Sequence, residues 1–137
     1  MLADFYLQRE GFSQKINSIA AAGICQDVEL WASAKSYTDI FYVGKKHFSY
    51  DVLQRAFLES FKFIHVCSID QNDIASASKQ MWRDFEDCLI SEAAQRVGAD
   101  FLVTRDAKGF TQSNIKVPSP EEIVDMLAEK GLYYDIL

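Results

Sequence analysis

Acidic side chains are the residues of this chain whose spacing most clearly points to chemistry. Asp84 and Asp87 lie at the start of a predicted helix, and Asp106 follows a predicted apolar strand. A helix that turns back into a strand through a short loop runs antiparallel to it, so the helix start and the strand end share one edge of the fold. The sequence therefore predicts that Asp87 and Asp106 lie close together.

Clustered carboxylates of this kind suggest a divalent cation. They repel one another unless a positive charge neutralises them, and carboxylate oxygens are ligands that Mg²⁺ and Mn²⁺ prefer. Asp39 falls in or just after the first turn of a helix that directly follows a strand, so we expect it at the same edge. Asp39, Asp87 and Asp106 could thus hold an ion that activates water against a phosphodiester. The alternative is that each is a solvated polar residue at the end of an element.

The segment of residues 84–106 must position these acids. Asp84 can cap the helix start, because a carboxylate there accepts free backbone N–H groups and faces the positive end of the helix dipole. Gly98 is a typical helix stop. Residues 99–104 are predicted to form a buried strand. The apolar stripe of the helix recurs at helical spacing: Phe85, Leu89, Ala93 and Val97.

The rest of the chain alternates between helical and strand patterns. Predicted helices cover residues 2–8, 13–22, 36–45, 52–60, about 70–79 and the segment after Ser119. Predicted strands cover residues 28–34, 61–67 and 115–117. Ser119 and Pro120 form a strong helix start, with a capping box and proline at the first helical position. This alternation predicts a three-layer α/β domain with a central, mostly parallel sheet.

Composition narrows the class of protein. The 137 residues suit one domain, and 49% hydrophobic with 25% charged residues is an ordinary globular balance. No apolar run is long enough to span a membrane, and no secretory leader is evident. The net charge of −6 disfavours broad nonspecific binding to nucleic acid. Cys25, Cys67 and Cys88 are widely spaced among apolar residues, which predicts buried, reduced thiols in a cytoplasmic protein.

Part of the chain resembles the C-terminal half of PIN domains, especially the ribonuclease toxins of bacterial toxin–antitoxin pairs. The residues that carry this resemblance are DFEDCLISEAAQRVGADFLVTRDAKGF, residues 84–110. Two further segments are similar to the second strand with its helix and to the closing strand with its helix: LWASAKSYTDIFYV and IKVPSPEEIVDML. The resemblance implies a PIN-like sheet and a metal-dependent endoribonuclease that uses Mg²⁺ or Mn²⁺. It also implies an RNA substrate and an antitoxin protein as partner.

The resemblance also assigns roles to individual residues. It implies metal-site acids at the matching positions Asp39, Asp87 and Asp106. Asp84 would be an accessory acid, and Thr104 would support the site or contact phosphate. Arg105 lies between the strand and the acid, which makes it a candidate phosphate contact.

One feature of PIN domains is not found in this sequence. PIN domains begin with an apolar central strand that ends in Asp-Thr-Asn or similar, and its Asp is a principal metal ligand. The chain starts with MLADFYLQREGF, which resembles the segment that comes after this strand in the family, so we expect an N-terminally incomplete domain. Two hypotheses are consistent with this start: a ribonuclease whose activity needs the strand, and a noncatalytic PIN-like module that binds protein.

The position of that strand sets a structural expectation. The predicted strands at residues 28–34 and 99–104 should flank the place where it belongs. Unpaired backbone groups on both would be costly. We therefore expect either that these two strands pair directly or that another segment or chain lies between them, which favours a homo-oligomer.

Overall fold

The structure is a computed structural model that describes residues 13–104 and 106–134. The helices are α1 (Ser13–Ile24), α2 (Ala34–Gly44), α3 (Tyr50–Ser60), α4 (Gln71–Gln80), α5 (Phe85–Arg96) and α6 (Pro120–Glu129). The strands are β1 (Leu30–Ser33) and β2 (Ile64–Cys67), and a 3-10 helix covers Ala107–Phe110. The predicted helix at residues 2–8 and the candidate residue Arg105 lie outside the described part of the chain.

Parallel strand pairing confirms the α/β class. β1 pairs with β2 in parallel, with Leu30 opposite Ile64 and Ser33 opposite Cys67. A second parallel contact joins Phe101 to Lys116 as an isolated bridge. The sheet is smaller than the sequence predicts. Each predicted strand is longer than the part of it that forms backbone hydrogen bonds with a neighbouring segment.

The two predicted flanking strands do not pair with each other. Within the described ranges, no backbone hydrogen bond joins β1 to residues 101–104. Each segment uses another partner: β1 pairs with β2, and the N–H of Leu102 donates to the carbonyl of Lys116 at 2.9 Å. Direct pairing of the two segments is therefore wrong, and occupation of the position between them stays a prediction.

The core forms where helices pack on one another and on the strands. In α1 three apolar side chains at helical spacing are buried: Ile16, Ile19 and Ala20. Between α4 and α5 the core is built on Ala77, Cys88 and Leu89, and Ile69 and Trp82 pack against it.

The apolar stripe predicted for α5 is only partly correct. Leu89 and Ala93 are buried, but Phe85 is 44% exposed. Cys88 takes a central position instead, with no exposed surface. The inward face of α5 is therefore rotated relative to the predicted stripe, because its packing against α4 decides which side is covered.

The helix ends follow the predicted signals. Asp84 caps α5 by accepting the N–H of Asp87, and Ser119 forms a capping box with Glu122 at the start of α6. Gly98 has a φ of +70° just after α5, a conformation that glycine adopts without strain. These local signals confirm where α5 and α6 begin and where α5 ends.

The cysteines are free thiols, but one prediction about them is wrong. Cys67 and Cys88 are buried as expected, whereas Cys25 is exposed because it follows the end of α1. Among the described helices, none combines the length and the apolar character needed to cross a membrane.

Candidate functional site

Asp87 is the centre of the candidate site. It lies in the first turn of α5, where its backbone N–H donates to Asp84 Oδ1 at 3.0 Å. The pKa of the Asp87 carboxyl is raised to about 6, mainly by burial and then by the charge of Asp84, a hydrogen bond with Asp84 and the charges of Glu86 and Asp106. The predicted partners Asp84, Asp87 and Asp106 thus lie near enough to interact electrostatically.

Gly109 packs directly against this carboxyl group. A Cβ atom at position 109 would lie 1.8 Å from Asp87 Oδ2 and 2.9 Å from its Cγ. The 3-10 helix Ala107–Phe110 brings the glycine to this place, and buried Phe110 anchors the end of that helix. No role for Gly109 is predicted from the sequence. The available signal was its place in the Gly109-Phe110 pair that ends the segment resembling PIN domains.

Asp106 begins the same 3-10 helix. Its side chain accepts the N–H of Lys108 at 3.1 Å, and its own N–H donates to Thr104 Oγ1 at 3.2 Å. Thr104 is therefore hydrogen-bonded to the backbone of Asp106, and its supporting role at the site stays a prediction. Contact between Thr104 and phosphate stays a prediction, and Arg105 is not described.

Lys35 links Asp39 to Glu86, which lies next to Asp87, and this contact is not predicted from the sequence. Lys35 Nζ lies 2.8 Å from Asp39 Oδ2 and 3.2 Å from Glu86 Oε1. The hydrogen bond with Asp39 is the main cause that raises the pKa of Lys35. Lys35 thus neutralises part of the charge of Asp39 and Glu86, and its ion pairs do not include Asp87 or Asp106. The i, i+4 spacing of Lys35 and Asp39 on one helix was the available signal.

The arrangement does not contain a preformed three-residue metal cage. Across residues 13–104 and 106–134, no group of three or more histidine, cysteine, aspartate or glutamate side chains is arranged to hold an ion. Asp39 is paired with Lys35, whereas Asp87 interacts electrostatically with Asp84, Glu86 and Asp106. Magnesium is commonly held by one or two carboxylates together with water and substrate phosphate. The Asp87–Asp106 pair fits that mode of binding by its donor chemistry.

Comparison with known proteins adds one decisive finding. No curated protein and no solved structure matches the chain significantly. A family model described as PIN domain matches residues 1–108. That match covers most of the 137 residues and includes the four acids at positions 39, 84, 87 and 106. The chain thus belongs to the PIN domain family and has the nuclease-like α/β fold of that family.

Proposed function

We propose that this protein is a metal-dependent endoribonuclease of the toxin-like PIN type. The observation that carries the proposal is the environment of Asp87, a half-buried carboxyl group surrounded by other acids. Its pKa is raised to about 6, which means that the folded chain holds it as a carboxylate only at an electrostatic cost. A divalent cation at this place would remove that cost.

Asp87 and Asp106 would hold Mg²⁺ or Mn²⁺, with Asp39 as a third acid once its contact with Lys35 is broken. A bound ion would supply a water of lowered pKa and neutralise charge on the phosphodiester. The chain's own part is to position the carboxylates. Asp84 caps the helix that bears Asp87, and Thr104 supports the turn that presents Asp106.

The proposal includes partners and location. The substrate would be RNA, and an antitoxin protein would regulate the enzyme. Several apolar side chains of α3 and the residue after it are exposed, which favours a homo-oligomer: Tyr50 at 70%, Leu58 at 66% and Phe61 at 54%. Free thiols agree with a reducing, cytoplasmic location.

A second candidate function is a noncatalytic module that binds protein. The observation in its favour is the ion pair of Lys35 with Asp39 and Glu86, which already neutralises part of the acidic cluster without a metal. A module of this kind would need no affinity for Mg²⁺ or Mn²⁺.

Calorimetric titration with Mn²⁺ and cleavage of a labelled RNA separate the two functions. A nuclease should bind Mn²⁺ and cleave RNA, and Asp106→Asn should lose both. Asp125→Asn, which removes the same charge at an exposed position of α6, should behave as the wild type. Absence of Mn²⁺ binding and of cleavage in the wild-type protein would leave the noncatalytic module as the better account.

A further inference from the structure

An open cleft lies beside the acidic residues and is not part of the proposed metal site. Its volume is about 500 Å³, which is within the usual range for a site that binds a small molecule. Two aromatic rings and two cationic side chains line it: Trp82, Phe85, Arg83 and Lys108. This combination of flat apolar rings and positive charge distinguishes the cleft from the acidic cluster next to it.

Two residues of the cleft contact the candidate catalytic acid Asp87. Asp84 and Gly109 are also part of its lining. Asp84 accepts the backbone N–H of Asp87, and Gly109 packs against the carboxyl group of Asp87. A molecule that fills the cleft would therefore extend to within contact of the residues that surround Asp87.

The two cations of the cleft are available to an anionic ligand. Among the described residues, neither Arg83 nor Lys108 forms an ion pair, although Lys35, Arg55 and Arg96 do. The chain has a net charge of −6, and these two positive groups lie beside the acids around Asp87. Neither group is among the described partners that shift the pKa of Asp87. Phosphate is an anion that such arginine and lysine side chains bind well.

The two rings differ in how they are held. Trp82 is half-buried and packs against the core cluster of Ala77, Cys88 and Leu89, so it forms a fixed wall. Phe85 is the first residue of α5 and is 44% exposed. An exposed aromatic ring beside cationic side chains is the arrangement on which single-stranded nucleic acids stack their bases.

We propose that this cleft binds one nucleotide of a single-stranded RNA, next to the phosphodiester that faces Asp87 and Asp106. The base stacks on Phe85 against the wall formed by Trp82, and Arg83 and Lys108 contact the flanking phosphates. This inference rests on the proposed nuclease function, since it assigns a substrate site to the same edge of the fold. Stacking tolerates every base, so the cleft would favour unpaired RNA over a particular sequence.

The first experiment tests whether a base stacks on the ring of Phe85. Fluorescence anisotropy measures the binding of a fluorescein-labelled oligoadenylate in a buffer that contains EDTA. Phe85→Leu, which keeps apolar bulk but removes the ring, should weaken binding roughly tenfold. Phe85→Tyr keeps the ring and should bind as the wild type. Tyr50→Leu removes an exposed ring from α3, outside the cleft, and should leave binding unchanged.

The second experiment tests whether Arg83 and Lys108 contact phosphate groups, through the dependence of RNA affinity on salt concentration. The double variant Arg83→Gln with Lys108→Gln should lower the slope of log affinity against log salt by about 0.7 for each phosphate contact that is lost. Arg55→Gln with Lys62→Gln removes the same charge from α3 and the residues after it, where both cations are ion-paired. That control pair should keep the wild-type slope.

Circular dichroism melts of each variant show whether it is folded, and cleavage with Mn²⁺ is measured separately on the wild type. Weaker binding by Phe85→Leu with wild-type binding by Phe85→Tyr supports the cleft, even if the wild type does not cleave RNA and the nuclease proposal fails. Wild-type affinity in folded Phe85→Leu overturns the cleft, even if cleavage is observed. Equal losses in Phe85→Leu and Tyr50→Leu, or no RNA binding by the wild type, would also overturn it.

Discussion

Gly109 approaches Asp87 so closely that no side chain fits between them. A Cβ atom at position 109 would lie 1.8 Å from Asp87 Oδ2. Because the obstructed atom is at the end of a side chain, the cost of adding a methyl group is displacement of the carboxylate and not disruption of the core. The position of the Asp87 carboxylate therefore depends on the absence of a side chain at position 109 of the 3-10 helix.

We predict that Gly109→Ala weakens Mn²⁺ binding and RNA cleavage while the protein stays folded. The measurements are calorimetric titration, cleavage of labelled RNA and thermal unfolding. Gly131→Ala is the matched control, since Gly131 has a φ of +77° and nothing within 4 Å of an added Cβ. It should lower the melting temperature through backbone strain and keep the wild-type affinity for Mn²⁺. Unchanged Mn²⁺ affinity in Gly109→Ala would show that the carboxylate position is not set by the glycine.

A second prediction concerns the electrostatic cost at Asp87. The pKa of Asp87 is raised from 3.8 to about 6 in the folded chain. The protonated carboxyl therefore contributes its full share to the free energy of unfolding below about pH 4, and this contribution is lost as the pH rises through about 6. Asp87→Asn should therefore be more stable than the metal-free wild type at neutral pH, by on the order of 1 kcal/mol after allowance for solvent screening. The gain should shrink toward acidic pH.

Urea unfolding in EDTA across this pH range measures the difference, and Mn²⁺ titration of the same variant should show lower affinity. Asp125→Asn makes the same change outside the group of acids that raises the pKa of Asp87. A constant difference between Asp87→Asn and the wild type at all pH values, or equal metal binding by both, would contradict the prediction.

A third prediction is that Lys35 competes with a metal ion for the acidic side chains near Asp87. Lys35→Met keeps most of the aliphatic stem and removes the charge that pairs with Asp39 and Glu86. We expect roughly two- to fivefold tighter Mn²⁺ binding, because a nearby positive charge is lost. Stability should fall by less than about 1 kcal/mol, as is usual for exposed ion pairs.

Calorimetric titration and thermal unfolding measure these effects. Lys62→Met removes a cation that pairs with Glu59 at 2.5 Å, outside the cluster, and should leave Mn²⁺ affinity unchanged. Weaker Mn²⁺ binding by Lys35→Met would mean that Lys35 positions Asp39 for the metal instead of competing with it.

Arg96 joins α5 to α4 and β2. Its guanidinium donates to both carboxylate oxygens of Asp73, at 3.0 and 3.1 Å, and to the carbonyl of Ser68. Asp73 is only 5% exposed, so removal of the guanidinium leaves a buried charge without its partner. Arg96→Met should lower the melting temperature by several degrees. Arg55→Met, which breaks a pair with Asp51 on the exposed face of α3, should change it little, and equal effects of both variants would contradict the assigned role.

The predicted strand position between β1 and residues 101–104 gives a final prediction. An N-terminal extension that forms an apolar strand ending in Asp-Thr-Asn should raise the melting temperature, because it would pair backbone groups of both neighbours. Mn²⁺-dependent RNA cleavage should also increase. The control is the same extension with prolines at alternate positions, which cannot complete a ladder of hydrogen bonds. If both extensions act alike on stability and cleavage, the position does not accept a strand.

Local sequence signals determined much of this fold. Asp84, Gly98 and Ser119 mark helix ends through hydrogen bonds or backbone conformations that involve only neighbouring residues, and the structure has those ends where they were expected. The sequence also predicts that Asp87 lies near Asp106, and the charge of Asp106 is one of the causes that raise the pKa of Asp87. The short connection after α5 limits where the chain can return, although residues 99–104 form an isolated bridge at Phe101 instead of the predicted strand.

Tertiary structure alone decided the contacts between separate elements. Lys35 reaches Glu86 on another helix, and Gly109 meets Asp87 because the 3-10 helix turns toward α5. Neither contact follows from periodicity, since it depends on how each helix is rotated about its own axis against its neighbours. The same rotation buries Cys88 and leaves Phe85 exposed for the cleft. The sequence thus predicts the helix ends and the candidate acids. Packing decided that Asp39 pairs with a lysine, that Asp87 contacts a glycine and that the ring of Phe85 is exposed.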